Sequence, residues 1–338
     1  MGRALTLWIP DFYPALQAVL AEKPLAAELH LPTLQGLWSK GDILPRKPQS
    51  FQARACHLFH QPETLPAAAV QAAVQLPDFD ANAFWVKIDP VQMIPDRDTL
   101  VLIPPQDLAI TEAESQALVE AFNLHFGDDG IQLEYGGAYQ WYLRIRQKVD
   151  IGSVPLEVAA YRNLHGLYPS GNAATYWRQL MNETQMLFFD HPVNLQRRER
   201  GDPEINSVWV WGEGVLSECA IRLRPKTAIS GSHDYLHGLA VVTQAEWQAT
   251  PDNLASCRSF TNDGIGHEMV HIPLQTSLLG VQSLNDLEEN WFLPLLNAIR
   301  QKKYDSVLID LGAEKLIHVN PGHLRRFWRR KKRLDSIG

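Results

Sequence analysis

The sequence predicts an α/β protein with a mostly parallel sheet flanked by helices and an inserted α+β domain. The first supporting observation concerns the two ends of the chain. A short apolar run, ALTLWI at residues 4–9, stops at Pro10 and precedes helical patterns. Near the other end, the amphipathic segment SLNDLEENWFLPLLNAIRQKK leads into the apolar run YDSVLIDLG. Strand, helix and strand at this spacing indicate a parallel βαβ unit.

The second observation concerns the middle of the chain, where the pattern changes. FWVKID and TLVLI are typical of strands, and TEAESQALVEAFNLHF is an amphipathic helix that opens with a capping box at Thr111. IQLEY and WYLRIRQ alternate on either side of GGAYQ and predict a hairpin. We therefore predict an α+β insertion at residues 81–200, within a discontinuous α/β domain of residues 1–80 and 201–338. Between Gly214 and a strand near 268–276 we expect mostly irregular structure.

The composition is that of a folded globular protein. The chain has 338 residues, 45% of them hydrophobic, which excludes general disorder. No run reaches the roughly 18 apolar residues that span a bilayer, and Pro10 and Asp11 interrupt the first apolar segment before a signal-peptide core could form. We expect a cytoplasmic protein with no membrane contact. The three cysteines are widely separated and predict neither disulfides nor a zinc ribbon.

The formal net charge of −7 is unevenly distributed along the chain. Arg325 to Arg333, RRFWRRKKR, carries seven positive charges, so the remainder carries −14 (−7 minus 7). Phe327 and Trp328 lie among these cations, a pattern found in segments that contact nucleic acid or an anionic surface. A protein contact, or a solvated face that pairs with the acidic remainder of the chain, is the alternative.

Residues His267 to His271 match HExxH, in which two histidines one helical turn apart bind zinc and the glutamate activates water. That chemistry needs a helix. Gly264, Gly266 and Pro273 flank the match, and its neighbours are strand formers. On a strand the histidines would be about 13 Å apart, too far for one metal ion. We therefore predict a strand and not a zinc protease.

Two residues near predicted strand ends are candidates for catalysis. Asp11 follows the first strand, a position where α/β enzymes place metal-binding or catalytic carboxylates, although it could instead cap a helix. Ser50 precedes a helical run and could be a nucleophile or an N-cap. The sequence contains neither a Gly-rich phosphate loop nor a GxSxG elbow, which argues against ATP- or NAD-dependent chemistry.

The segment from His191 to Gly214, HPVNLQRRERGDPEINSVWVWGEG, is the strongest candidate for a ligand site. Arginine suits bidentate binding of a carboxylate or phosphate, and amide and imidazole groups can orient a polar ligand. A capped helix end followed by a core strand is the alternative, because Trp209 and Trp211 alternate on one strand face. We predict that a small anionic metabolite is bound here by His191, Asn194, Arg197, Asn206 and Trp211.

This segment resembles a signature that archaeal-type cofactor-independent phosphoglycerate mutases share with bacterial RpfE-type regulatory proteins. The signature is HPVN-x-x-R, followed by a glycine and then by N-x-x-W-x-W-G-x-G. Three more stretches resemble the RpfE-type group: DPVQMIPDRDTLVL, LEENWFLPLLNAIRQKK and RRFWRR. Together they cover most of the chain, so the chain is similar to the RpfE-type family and more distantly to the mutases. The resemblance implies an alkaline-phosphatase-like fold with an inserted domain.

The resemblance also implies a reaction. The mutases use two divalent metal ions and a transiently phosphorylated serine to move phosphate between hydroxyls of one substrate. Asp11 matches their first metal aspartate and Ser50 lies near the nucleophile position, so the implied cofactor is a divalent metal such as manganese or zinc. The surroundings depart from the family pattern. Asp-Gly has become Asp11-Phe12, PGSD-x-A has become PQSFQA, and the later Asp and His ligands have no counterpart after residue 260.

These departures predict a mutase-like cytosolic protein with a degenerate metal site, which binds a phosphorylated or carboxylated ligand in a regulatory role. An active metal-dependent phosphomutase or phosphatase is one alternative. An interaction module that works through Arg325–Arg333 is the other.

Overall fold

The computed structural model describes residues 2–96, 99–274 and 280–337. The chain folds into two compact units. Met1–Pro62 and Ile221–Gly338 form a discontinuous unit, and Glu63–Ala220 forms an inserted unit. The inserted unit extends beyond the expected limits of 81 and 200 at both ends, because helix α5 (Ala67–Gln75) and strand β7 (Ser207–Gly214) pack with its other strands.

A seven-stranded sheet forms the centre of the discontinuous unit. Its strands are β1 (Ala4–Trp8), β2 (Asp42–Pro45), β8 (Thr227–Ser230), β9 (Glu246–Gln248), β10 (His267–His271), β11 (Ser306–Asp310) and β12 (Lys315–Val319). They lie in the order β2-β12-β11-β1-β10-β8-β9. The five strands from β11 to β9 are parallel, whereas β12 and β2 run antiparallel at one side.

Helices pack against this sheet and close its core. They are α1 (Phe12–Ala21), α2 (Lys23–Glu28), α3 (Pro32–Lys40), α4 (Phe51–Leu58), α10 (Asp234–Val242), α11 (Arg258–Thr261), α12 (Val281–Leu287) and α13 (Leu293–Arg300). A π-helical segment, Glu288–Phe292, joins α12 to α13. Leu7 of β1 and Ile309 of β11 are fully buried, as is Phe12, which packs edge-on against Phe292. Apolar strands of this kind are typical of a parallel sheet covered on both faces.

The inserted unit is built around antiparallel strands. These are β3 (Phe84–Asp96), β4 (Thr99–Ile103), β5 (Ile131–Gly137) and β6 (Gln140–Ile145), in the order β4-β3-β6-β5, with β7 paired to β3. Its helices are α5, α6 (Glu112–Phe126), α7 (Leu156–Ala159), α8 (Ala174–Phe189) and α9 (Pro192–Arg200). β7 was expected in the discontinuous domain, but its antiparallel pairing with β3 places it here.

Several local predictions are confirmed. Thr111 and Glu114 form the capping box of α6, with Thr111 Oγ1 accepting from Glu114 N at 3.3 Å and Glu114 Oε2 accepting from Thr111 N at 3.0 Å. The predicted hairpin is β5 and β6. The HExxH match is the buried strand β10, so the two histidines do not share a helical face.

One expectation was wrong. The stretch after Gly214 is not mostly irregular, since β8, α10 and β9 lie in it and extend the parallel sheet. β8 has only four residues, TAIS, and all four are buried. Such a strand gives no alternating pattern by which the sequence could reveal it.

Two sequence features fall partly outside the described ranges: the end of the strand expected near 268–276, and residues 97 and 98 of the DPVQMIPDRDTLVL stretch. No helix in the described ranges combines the length and apolarity needed to cross a bilayer.

Candidate functional site

Neighbouring parallel strands of the discontinuous unit end side by side. In the sheet register, Trp8 of β1 lies opposite His271 of β10 on one side and opposite Asp310 of β11 on the other. Ser230 ends β8 opposite Val270. The carboxyl ends of parallel strands are where open α/β sheets bind their ligands. We call these four strand ends, Trp8, Ser230, His271 and Asp310, the carboxyl edge.

Asp310 is a fully buried carboxylate of the carboxyl edge, and two arginines bind it. Arg54 Nε, on α4, donates to Oδ2 at 2.6 Å, and Arg46 Nε lies 3.2 Å from Oδ1. The backbone N–H of Gly312 donates to Oδ1 at 3.0 Å. Because both guanidinium groups are charged at neutral pH, this group of three side chains keeps one positive charge in excess.

Gly312 allows the chain to turn sharply after β11. Its φ is +77°, and a Cβ at this position would lie 1.7 Å from the carbonyl oxygen of Pro10. Only glycine fits so close an approach. The turn therefore fixes Asp310 beside the end of β1.

Ser50 lies at the start of α4 and caps it. Its Oγ accepts a hydrogen bond from Ala53 N at 3.3 Å, so the capping alternative is confirmed. The following residue, Phe51, also packs against the carboxyl edge. The role of Ser50 as a nucleophile stays a prediction.

Aromatic rings surround the start of α4. Phe51 stacks on His233 with ring centroids 4.1 Å apart, and its centroid lies 4.8 Å from that of Trp8 and 5.3 Å from that of His271. The Trp8 and His271 rings are themselves 4.7 Å apart. Phe51, the residue after Ser50, therefore lies within a cluster of rings.

Three buried polar atoms at or beside the carboxyl edge have no hydrogen-bond partner within the described part of the chain. They are Trp8 Nε1, Arg54 Nη2 and His271 Nδ1, on side chains of residues that are at most 4% exposed. Burial, and then the nearby His233, lowers the pKa of His271 to about 3, so its ring is neutral at pH 7. An unpaired buried polar group costs about 1–3 kcal/mol, so these three atoms are available to a bound water or ligand.

Asp11, the predicted metal ligand, lies between β1 and α1. Burial raises the pKa of its carboxyl group, and a backbone hydrogen bond from Leu274 partly offsets the effect. Its side chain makes no capping bond to α1, and its φ and ψ of −94° and 3° differ from the extended values of an N-cap. The capping alternative is therefore wrong for Asp11, and its metal role stays a prediction.

One group of three possible metal ligands occurs in the described ranges, at the opposite end of the sheet. Asp42, His318 and His323 place ligand atoms within 4.8 Å of one another. His318 lies opposite Leu308, the middle residue of β11, but its Nε2 is 3.0 Å from the Oγ of Ser306, the first residue of that strand. This group is therefore at the amino end of β11, whereas Asp310 ends the same strand.

Arginines already bind the carboxylate of this second group. Arg326 Nη1 lies 2.6 Å and Arg329 Nη2 3.2 Å from Asp42 Oδ1. The hydrogen bond from Arg326 is the main cause that lowers the Asp42 pKa. A metal ion here would have to compete with two guanidinium groups.

The predicted ligand residues of the His191–Gly214 segment bond within the inserted unit. His191 caps α9, with Nδ1 accepting from Val193 N at 3.3 Å, and burial lowers its pKa. Asn194 is fully buried, donates from Nδ2 to Phe188 O and Ile205 O at 2.8 Å each, and accepts from Ile205 N at 2.9 Å. These bonds join the end of α8 to the chain that enters β7.

Arg197 is 1% exposed and is surrounded by acceptors. Its Nη1 donates to Leu108 O at 2.8 Å and to Pro203 O at 2.7 Å, while Nη2 binds Glu114 Oε2 at 2.8 Å. Burial acts to raise the pKa of Glu114, but hydrogen bonds from Arg197, Thr111 and Arg200 outweigh it and lower the pKa to about 2.

Asn206 and Trp211 also bond inside the unit. Asn206 accepts from Met93 N at 2.7 Å and donates to Met93 O at 3.0 Å, which fastens the entry of β7 to β3. Trp211 Nε1 donates to Asp89 Oδ2 at 2.5 Å. These bonds explain why the segment needs these residue types. A ligand role for them stays a prediction.

Sequence reasoning missed the arginines and the final aspartate of the carboxyl edge. Asp310 ends the predicted strand YDSVLIDLG, so the strand-end argument used for Asp11 would have found it. Arg46 and Arg54 lie on either side of Ser50 in RKPQSFQAR. Their pairing with Asp310 spans more than 250 residues, and only the tertiary structure reveals it.

The chain is similar in sequence to phosphoglycerate mutases. A probable 2,3-bisphosphoglycerate-independent phosphoglycerate mutase of Geobacter sulfurreducens is 32% identical over 171 residues, which cover 50% of this chain and 41% of that protein. A 2,3-bisphosphoglycerate-independent phosphoglycerate mutase of Methanosarcina barkeri is 26% identical over 137 residues, 39% of this chain and 34% of that protein. The similarity thus spans less than half the length of these relatives. No protein-family model matches the chain.

Among solved structures, the PH0037 protein of Pyrococcus horikoshii aligns with a TM-score of 0.60 at 12% identity, covering 94% of this chain and 87% of that one. At this identity the alignment shows a shared fold. The predicted α/β class, an alkaline-phosphatase-like, mostly parallel sheet flanked by helices, is confirmed. The sequence similarity to 2,3-bisphosphoglycerate-independent phosphoglycerate mutases is thus confined to half of this chain or less, and the structural similarity shows the fold.

Proposed function

We propose that the chain is a phosphoglycerate-mutase-like cytosolic protein of the RpfE-type regulatory kind, with a degenerate metal site, and that it binds a small phosphorylated or carboxylated ligand. The observation that carries this proposal is the pairing of Asp310 with Arg46 and Arg54 at the carboxyl edge. The RpfE-type assignment rests on the sequence stretches DPVQMIPDRDTLVL, LEENWFLPLLNAIRQKK and RRFWRR.

The donor set at the carboxyl edge does not fit a pair of divalent metal ions. Such ions need several carboxylate or imidazole ligands that carry no other cation. Asp310 is bound by two guanidinium groups, and the Asp11 carboxyl group takes a hydrogen bond from Leu274. The described ranges hold no cluster of three metal ligands at this edge.

The same arrangement suits an oxyanion. Two guanidinium groups face one carboxylate, and Arg54 Nη2 retains an unused donor, as does Trp8 Nε1. The neutral ring of His271 contributes a further polar nitrogen. A phosphate or carboxylate group bound at these atoms would meet the unpaired donors and the excess positive charge.

The metal half of the proposal is tested by elemental analysis of the purified protein, with mutase and phosphatase assays in manganese or zinc. We expect no stoichiometric metal and no turnover. Stoichiometric metal with turnover that Ser50→Ala abolishes would favour an active phosphomutase or phosphatase instead.

The ligand half is tested by thermal unfolding and calorimetry with inorganic phosphate and with phosphoglycerate. We expect both to stabilise the native protein, because a ligand that binds only the folded state raises its stability. Arg54→Lys keeps the charge but removes the second donor, so it should weaken binding roughly tenfold, the equivalent of about 1.4 kcal/mol. Arg300→Gln, on an exposed helix end, is the control and should bind normally.

A further inference from the structure

One side of the segment Arg325–Arg333, here called the cationic segment, is fixed to the discontinuous unit. Arg326 and Arg329 bind Asp42, and the Lys332 Nζ lies 4.7 Å from the centroid of the Trp38 ring. The backbone N–H of Lys332 donates to Ser39 Oγ at 2.9 Å. These anchoring contacts recur at every third residue, so the orientation of the segment is defined.

The other side of the cationic segment faces solvent. Phe327 is 89% and Trp328 66% exposed, with ring centroids 5.2 Å apart in an edge-to-face arrangement. Arg325, Arg330 and Lys331 are exposed, and none of them forms an ion pair with any described residue. Two solvent-exposed aromatic rings therefore lie among three cations that form no ion pair within the described ranges.

Exposed aromatic rings beside exposed cations favour a partner that carries both planar bases and phosphates. Exposed rings can stack on nucleobases, and cations between them can bind the phosphates that join those bases. Five of the seven cations are arginines, whose planar guanidinium group binds phosphate in bidentate fashion. The regular structure here is limited to a three-residue turn, His323–Arg325, and to Leu334–Ile337 beyond the segment. The segment therefore lacks the long amphipathic helix with which many peripheral proteins lie on lipid.

We propose that the outer side of the cationic segment binds single-stranded nucleic acid. Phe327 and Trp328 stack on successive bases, and Arg325, Arg330 and Lys331 bind the adjoining phosphates. Stacking and phosphate contacts are tolerant of sequence, so the binding has little base preference. This site is separate from the ligand site proposed at the carboxyl edge, and either can exist without the other.

The test is fluorescence anisotropy with the full chain and labelled oligo-dT and oligo-U of about 15 nucleotides, a length within the range covered by single-strand-binding folds. Phe327→Ala/Trp328→Ala should weaken binding by roughly tenfold or more, as expected for lost stacking. Arg330→Gln/Lys331→Gln should weaken binding and make the negative slope of log affinity against log salt shallower by roughly 1.4, since each lost contact contributes about 0.7 on single strands.

Control variants test whether oligonucleotide binding depends on the cationic segment itself or on general effects of charge and exposed apolar surface. Arg300→Gln/Lys302→Gln removes two exposed cations of the same unit, and Leu124→Ala removes a side chain that is 88% exposed. Both should bind oligonucleotide as the parent chain does. The aromatic variant loses only exposed groups, so its thermal unfolding should be unchanged.

Three results would overturn the proposal. The first is an absence of oligonucleotide binding at low salt, and the second is equal binding by Phe327→Ala/Trp328→Ala and the parent chain. The third is capture by vesicles that contain phosphatidylserine, lost in the same variants, with no binding to either oligonucleotide. That last pattern would assign the surface to an anionic membrane.

Discussion

The carboxyl edge of the discontinuous unit and the His191–Gly214 segment of the inserted unit use similar residues in opposite ways. Buried arginine and tryptophan side chains lie in the segment and at or beside the edge, together with a buried asparagine in the segment and a buried histidine at the edge. In the segment, Arg197 and Asn194 bond to backbone and carboxylate acceptors of their own unit. Trp8 and His271 at the edge, and Arg54 beside it, each keep a buried atom without a partner among the described residues.

This difference shows what marks a ligand site. A high density of polar side chains is consistent with either a binding site or a well-bonded fold, because buried polar groups are normally paired within the protein. Buried polar groups without a partner indicate a ligand site more specifically than a high density of polar side chains does. The polar residues of the segment that carries the family resemblance therefore have a structural explanation, whereas three buried polar atoms at or beside the carboxyl edge have no partner among the described residues.

The largest expected effect is on the segment. Arg197→Ala removes a buried guanidinium group and leaves Glu114 and several carbonyl oxygens unpaired, so we expect a loss of about 4 kcal/mol in the free energy of unfolding. Urea unfolding followed by circular dichroism measures it. Arg198→Ala, whose side chain is 35% exposed and paired with Glu204, should cost under about 1 kcal/mol. Equal and small losses in the two variants would contradict a structural role for Arg197.

The second prediction concerns the edge. Asp310→Asn leaves Arg46 and Arg54 without a counter-charge, so we expect a loss of about 3 kcal/mol in unfolding free energy, somewhat less than for Arg197 because the amide still accepts hydrogen bonds. Phosphate should stabilise this variant more than the parent chain, since the positive excess has doubled. Asp305→Asn, at an exposed position of the same unit, is the control. A variant that is as stable as the parent and shows no added response to phosphate would show that Arg46 and Arg54 do not form a phosphate site.

The two units should respond to acid in different pH windows. The Glu114 pKa falls from 4.5 to about 2 on folding, so its stabilisation is complete above pH 4.5 and lost as the pH drops to about 2. Burial, chiefly, lowers the pKa of His267 and of His271 to about 3, so these buried neutral rings cost stability progressively as the pH falls from 6.5 towards 3.

The measurement is unfolding free energy against pH for the parent chain, Glu114→Gln and His271→Asn. Glu114→Gln should flatten the curve only below about pH 4.5, by up to roughly 3 kcal/mol, and His271→Asn only between about pH 6.5 and 3. Identical curves for all three proteins would show that neither group titrates as its surroundings indicate.

The smallest effect separates two buried tryptophans. Trp209 Nε1 donates to Val154 O at 2.8 Å, while Trp8 Nε1 has no partner in the described ranges. Replacement by phenylalanine should therefore cost about 1 kcal/mol more at Trp209 than at Trp8. Conversely, Trp8→Phe should weaken phosphate binding measured by calorimetry, and Trp209→Phe should not. If Trp209→Phe weakened phosphate binding and Trp8→Phe did not, the ligand site would lie in the inserted unit instead.

Local sequence was sufficient for much of the fold. The capping box at Thr111, the hairpin of β5 and β6, and the strand assignment of HExxH all follow from short-range patterns, and each is present. β8 escaped prediction because a short, fully buried strand has no periodicity. The placement of β7 escaped because its partner, β3, lies more than 100 residues earlier in the chain.

The sequence by itself determined the class of the protein: an α/β chain with a helix and strand order, a cationic C-terminal segment and a strand-end aspartate at residue 11. Only the tertiary structure decided how the charged groups are used. The pairing of Arg46 and Arg54 with Asp310, and the burial of Arg197 against Glu114, join residues 83 to 264 positions apart. Charge compensation and burial depend on distances in space, which spacing along the chain does not encode.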